Sequence, residues 1–226
     1  MSVAQNIAKL RREIPANVTL IAVSKTQPNS KIQEAYEGGQ RIFAENKVQE
    51  LVPKFEALPK DIEWHLIGHL QSNKVKYIAP FVHLIHSIDS FKLLQEVDKQ
   101  ASKINRTLNC LLQVHIAQEE TKFGFSGNEI IELLQSNAFE SLKNIQIQGL
   151  MGMATFTENA DQVRDEFKSL KILFEKLKSM KLPSQFELKN LSMGMSGDYK
   201  IAIEEGSTMI RVGTALFGER NYNLEK

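Results

Sequence analysis

The sequence predicts a closed parallel (β/α)8 barrel, the TIM-barrel architecture, as a single domain over residues 1–226. Two observations point there. Eight short apolar runs, several rich in β-branched residues, alternate with stretches of helical periodicity from end to end, the pattern of a parallel sheet with helical crossovers. No Pro/Gly/Ser-rich linker or low-complexity block divides the chain, and 226 residues suit one α/β barrel. An open doubly wound sheet is the alternative that the same alternation allows.

The elements follow in order. A helix over Val3–Glu13 precedes the first strand, Val18–Val23 (VTLIAV), which is bounded by the turn residues SKTQPN. A helix over Asn29–Glu37 stops at Gly38-Gly39, and Ile42–Ala44 is a short second strand before a helix over Lys47–Leu58. Trp64–Ile67 is the third strand; Ser72 is placed to cap a helix running to Ala79, which Pro80 ends. Leu84–Ile88 leads to a helix over Ser90–Lys103, and Leu108–Ile116 to one over Gly127–Gln135. Ile145–Met151 precedes the long helix Asp161–Met180, and Leu188–Met193 precedes the helix Asp198–Glu205, stopped by Gly206. Met209–Val212 is the eighth strand, with too few residues after it for a full helix, so the N-terminal helix is expected to cover that flank.

Composition narrows the function. The net charge is +1, which leaves no electrostatic footprint for nucleic acid or an anionic membrane. One cysteine cannot form an internal disulfide or a thiolate zinc cluster. The longest apolar run is Leu20–Val23, and the N-terminus lacks the apolar core of a secretory signal. A cytoplasmic protein that handles a small molecule is expected.

In such a barrel the chemistry sits at the C-terminal ends of the strands. That rule nominates Ser24-Lys25-Thr26, Glu45-Asn46, Gly68-His69, Asp89, His115, Gly152-Met153, Gly194 to Gly197 and Gly213-Thr214. Lys25 directly follows an apolar strand, where burial favours the neutral amine that condenses with an aldehyde. Taken alone, in a chain with 28 basic residues, its position favours a lysine snorkelling from a strand end. The segments LSMGMSGD and RVGT put Ser192, Ser196, Gly213 and Thr214 after strands seven and eight, where barrels bind phosphate through backbone N–H groups and hydroxyls. The plain alternative is that Ser196 or Asp198 caps the next helix. Together, the lysine and the loops describe an aldehyde-binding amine across the barrel from a phosphate cradle, and pyridoxal 5′-phosphate carries both groups.

Rival constellations are weaker. HLIGH (His65–His69) lacks the glutamate of the HExxH zinc motif, and His83 and His86 straddle another strand, so no metal is expected from their spacing. Gly194-Met195-Ser196-Gly197-Asp198 is not the G-x-S-x-G of a nucleophile elbow. Cys110 lies inside a strand and is expected to be packed.

The blocks AVSKT (Ala22–Thr26), GQRIFAENKVQE (Gly39–Glu50), WHLIGHLQSNK (Trp64–Lys74), GLMGM (Gly149–Met153), LSMGMSGD (Leu191–Asp198) and GSTMIRVGTALFGERNY (Gly206–Tyr222) resemble the pyridoxal-phosphate homeostasis proteins, which share the alanine racemase N-terminal barrel. The resemblance covers nearly the whole chain. It implies that Lys25 forms a Schiff base with pyridoxal 5′-phosphate, that Asn46 lies beside the cofactor, and that Ser196, Gly213 and Thr214, together with Ser192, hold its phosphate. Arg211 would meet either the phosphate or the pyridine nitrogen, and Lys122 would be a second lysine near the mouth. Two blocks depart from the family pattern. GENY stands here as Ala44-Glu45-Asn46-Lys47, and GPLQ as Gly68-His69-Leu70-Gln71.

The family is described as binding and delivering the cofactor without catalysis. The sequence agrees in two ways. The second, β domain with which related racemases supply the opposite base is not expected here, leaving only Lys25 evident as a base. An arginine such as Arg211 near the ring nitrogen, where catalysis uses an acidic partner, would disfavour its protonation. The expected partners are pyridoxal phosphate and apo pyridoxal-phosphate enzymes, and a monomer or weak dimer is expected. An amino-acid racemase with a reduced site, or an aldolase-like barrel acting on a sugar phosphate, remains an alternative.

Overall fold

A computed structural model of the chain describes residues 2–118 and 123–218. Eight parallel strands close into a barrel in sequence order: β1 (Thr19–Val23), β2 (Ile42–Glu45), β3 (Glu63–Leu66), β4 (Leu84–Ile88), β5 (Leu108–Val114), β6 (Ile145–Gly152), β7 (Phe186–Ser192) and β8 (Met209–Val212). The seam is β8 on β1, with Thr19 opposite Met209 and Ala22 opposite Val212. Closure leaves no strand edge for solvent to solvate or another chain to pair with.

Helices form the outer ring: α1 (Val3–Glu13), α2 (Asn29–Glu37), α3 (Val48–Ala57), α4 (Val75–Ile78), α5 (Phe91–Lys103), α6 (Gly127–Gln135), α7 (Ala160–Lys178), α8 (Tyr199–Glu204) and the single turn α9 (Thr214–Phe217). Their starts are chemically marked. Ser2 and Gln5 form a reciprocal capping box on α1, Ser126 and Glu129 form another on α6, and Ser90 caps α5 through the Leu93 amide. The expected Ser72 cap does not form. Ser72 lies inside a 3-10 turn, Ser72–Lys74, and the α-helix proper begins only at Val75. The N-terminal helix covers the eighth strand's flank as expected: Asn6 Nδ2 donates to the Leu216 carbonyl at 2.9 Å, and Lys31 of α2 donates to the Phe217 carbonyl at 2.9 Å.

The period-2 alternation of the strands sorts side chains between two cores. Leu20, Ala22, Phe43, Trp64 and Leu66 face the helices, whereas Ile21, Val23, Ala44, Leu84, Leu111, Met151 and Met209 fill the barrel. The interior is not wholly apolar, because His65, His86, Ser192 and Arg211 are also buried. Among the described residues, no helix is long and apolar enough to cross a membrane.

Candidate functional site

The C-terminal end of the barrel opens into a cavity of about 340 Å³. Lys25, Asn46, Ser196, Arg211, Gly213 and Thr214 all line it, with Val23, Ile67 and Met153 as apolar walls. Six of the seven residues expected from sequence thus surround one space. A larger groove of about 460 Å³ at the opposite end holds Arg11 and Arg41, but these are committed to Gln40 and Asp61.

Lys25 sits two residues beyond β1, and the chain on either side of it is anchored. Ser24 is fully buried; its amide donates to the Ala44 carbonyl at 3.0 Å and its Oγ donates to Glu45 Oε1 at 2.7 Å. Lys54, from α3, donates to the Ser24 carbonyl at 2.9 Å and to Glu45 Oε1 at 2.7 Å. On the other side, the Thr26 amide donates to Glu50 Oε2 at 2.7 Å. Thr26 has φ +61, a left-handed conformation costly for a β-branched residue, and it turns the chain sharply after the lysine. Burial pushes the Glu45 carboxyl up to about 7, opposed by the Lys54 ammonium and by hydrogen bonds from Lys54 and Ser24. This Ser24–Glu45–Lys54 support could not be found from spacing, because it joins β1, β2 and α3.

Asn46 follows β2. Its Oδ1 is buried with no hydrogen-bond partner among the described residues. Gly68 explains the close packing behind it: a Cβ there would lie 2.3 Å from the Asn46 carbonyl oxygen.

The seventh and eighth loops are tied to one another. The Gly213 amide donates to Ser196 Oγ at 3.2 Å, and the Arg211 amide to the Gly194 carbonyl at 2.9 Å. The helix-capping account of this segment fails. Asp198 occupies the N-cap position of α8 without a side-chain capping bond; its Oδ1 instead accepts from the Met195 amide at 2.5 Å. The loop is therefore folded back on itself beside the cavity, with hydroxyls and amides gathered at the C-terminal ends of β7 and β8.

Ser192 does not belong to the cavity lining. It is fully buried, and its Oγ accepts from Arg211 Nη1 at 2.7 Å. Arg211 Nη2 donates to the Gly152 carbonyl at 3.0 Å, so both terminal nitrogens of the guanidinium are engaged with the barrel interior. Burial pulls the guanidinium down to about 10. The chain of contacts continues: Ser192 Oγ lies 3.0 Å from His86 Nδ1, and His86 Nε2 lies 2.9 Å from His65 Nδ1. Burial holds His65 at about 3 and His86 well below the usual histidine value, so both rings are neutral. Sequence reading missed this relay because its members come from β3, β4, β7 and β8.

At the rim, His69 Nδ1 pairs with Asp89 Oδ2 at 2.8 Å, and the His69 ring stacks on Phe123 at 4.7 Å. His115 does not line the cavity, and Lys122 lies outside the described residues. Phe156, which no sequence signal marked, stands 98% exposed at the cavity's edge.

Comparison with known proteins adds findings of three kinds, from a family model, from curated relatives and from solved structures. The family model described as alanine racemase, N-terminal domain, matches residues 1–221. The chain is 43% identical over 204 residues to the pyridoxal phosphate homeostasis protein of Aquifex aeolicus, covering 90% of this chain and 87% of that one. It is 41% identical to the protein of the same name from Haemophilus influenzae, covering 92% and 88%. Among solved structures it is similar to PipY of Synechococcus elongatus without PLP, at a TM-score of 0.90 and 38% identity, covering 96% of this chain and 100% of that one. PipY with PLP bound is similar at a TM-score of 0.85. Alanine racemase of Clostridium difficile shares the fold at a TM-score of 0.77 and 12% identity, and this chain spans 57% of it.

Proposed function

We propose, from the premise that this chain belongs to the alanine racemase N-terminal domain family, that it binds pyridoxal 5′-phosphate in this cavity as a single-domain carrier and hands it to other proteins. One observation carries the reading. The cavity is lined by an amine, Lys25, and by the Ser196–Gly213–Thr214 loops, and the cofactor's aldehyde and phosphate need those two partners. The loops follow β7 and β8 and so stand beside the Lys25 strand β1, rather than across the barrel from it as the sequence suggested. The names of the relatives and the PLP-bound form of PipY support it.

The residues present fit the cofactor. A volume of about 340 Å³ lies within the usual range for small-molecule sites, roughly 300–1,000 Å³. Asn46 brings a buried side-chain acceptor without a partner among the described residues, and an amide that can donate to a ring substituent. When bound, the cofactor supplies an aldehyde for a Schiff base with an amine and, with its ring nitrogen protonated, an electron sink.

In this reading Lys25 holds the aldehyde carbon as a Schiff base, and its anchored neighbours Ser24 and Thr26 fix its approach. Ser196, Gly213 and Thr214 hold the phosphate. Arg211, pinned by Ser192 and the Gly152 carbonyl, faces the ring side and disfavours protonation of the ring nitrogen. Ser192 acts through Arg211 instead of meeting the phosphate. A cationic neighbour on the ring side, where an electron-sink role wants an acid, supports storage and delivery over amino-acid chemistry. Release goes by an incoming amine displacing Lys25.

The test is direct. Protein loaded with the cofactor and reduced with borohydride should carry the phosphopyridoxyl mass on the peptide containing Lys25. A label on any other lysine overturns the assignment.

A further inference from the structure

At the other end of the barrel, where β3 and β4 begin, Glu63, His65 and His83 converge. One ligand-capable atom from each lies within 4.8 Å of the other two. Glu63 Oε2 and His83 Nε2 are 3.5 Å apart, close to the roughly 3.4 Å edge of a tetrahedron built on ~2.1 Å zinc bonds. The rings of His65 and His83 stack with centroids 5.6 Å apart and an 11° interplanar angle.

His65 supplies the independent pointer to a ligand. The residue is 2% exposed, and its Nε2 is buried with no hydrogen-bond partner among the described residues. Leaving such an atom buried and unsatisfied is unfavourable, and sequences rarely keep one without a use. The other ring nitrogen, Nδ1, lies 2.9 Å from His86 Nε2, the kind of second contact that fixes the tautomer and orientation of metal-bound histidines. A Glu63–His83 ion pair alone accounts for none of this, because both side chains are about half exposed and the pair leaves His65 Nε2 unsatisfied.

We propose that Glu63, His65 and His83 form a site for a divalent transition metal, with Zn²⁺ the best match to two imidazoles and one carboxylate. Glu63 and His83, with side chains 45% and 48% exposed, are free to swing the short distance inward, and their exposure leaves the fourth position to water. Metal on Nε2 requires the His65 proton to be on Nδ1. That proton is then donated to His86 Nε2, and the His86 Nδ1 proton to Ser192 Oγ, so the ion sets the direction of the relay that ends at Arg211. The site shares no ligand with the proposed cofactor cavity, and its test needs no cofactor.

The experiment is a Co²⁺ titration of chelator-stripped full-length protein, followed by visible absorption, with Zn²⁺ as competitor. One Co²⁺ per chain should bind with the bands of a four-coordinate ion and be displaced by Zn²⁺. His83→Ala and Glu63→Gln change half-exposed side chains, so both variants should fold, as circular dichroism will check. Loss of an outer partner alone costs roughly 10–100-fold in affinity, so each variant should weaken binding at least that much. His69→Ala should leave binding unchanged. Absence of saturable one-to-one uptake overturns the proposal, as does uptake that survives both variants or follows His69.

Discussion

Arg211 Nη1 donates to Ser192 Oγ across 2.7 Å, and both side chains are buried inside the barrel. This contact converts a hydroxyl on β7 into the support of the cation under the cavity floor. Ser192→Ala would leave Arg211 Nη1 and His86 Nδ1 without their shared partner. A hydrogen bond to a charged group contributes about 1.5–3 kcal/mol, so urea denaturation should show a loss of that size. An unchanged midpoint would mean the relay adds nothing to stability.

The phosphate loops should dominate affinity for the proposed ligand. Thr214 is exposed on the rim, and its replacement by valine removes a donor without disturbing the core. Thr214→Val should weaken binding of pyridoxal 5′-phosphate about 10- to 100-fold, measured by fluorescence titration. Pyridoxal without the phosphate should bind far less tightly, and equal affinity for the two forms would sink the assignment.

Delivery and catalysis are separable by experiment. Incubation of the loaded protein with L-alanine, L-serine or L-lysine should give no racemisation or decarboxylation near ordinary enzyme rates of roughly 1–10³ per second. The same protein should reactivate an apo pyridoxal-phosphate enzyme, and free amines should speed the transfer. Turnover of any of these amino acids at enzyme-like rates would replace the carrier reading with the racemase one.

Stability should depend on pH through two opposed effects. His65, at about 3, and His86, also lowered, bind protons more readily in the unfolded chain, whose histidines titrate near 6.5. Their contribution is complete above about pH 6.5 and is lost as pH falls. Glu45 runs the other way: its folded value of about 7 stands above the ordinary 4.5, so its contribution falls as pH rises between the two. Two histidines outweigh one carboxyl, and stability should rise between about pH 5 and 6. Glu45→Gln removes the opposing effect and should steepen that rise by up to about 1.4 kcal/mol per pH unit. Denaturation midpoints across that window check it, and identical slopes would count against the raised Glu45.

The fold was legible because its signals are local. Leu20 and Ala22 alternate with Ile21 and Val23, and that alternation is the two-core pattern of the finished barrel. Lys25, Asn46, Ser196, Arg211, Gly213 and Thr214 were legible from their place at strand ends or within recognisable blocks. Ser72 misled because a serine before a helical stretch is a common cap, and here it was drawn into the 3-10 turn itself.

The sequence by itself determined the order, number and period of the elements, and with them the end of the barrel that carries the proposed chemistry. Only the tertiary structure decided which side chains meet inside. Ser192 reaches Arg211 but not the cavity, His86 joins His65, Lys54 crosses from α3 to Glu45, and Glu63 approaches His83. Each of these contacts depends on the register between strands and on how a helix packs against them. Register is set by closure of the whole barrel and by its irregular pairings at β4–β5, β5–β6 and β6–β7, and no local run of residues encodes it.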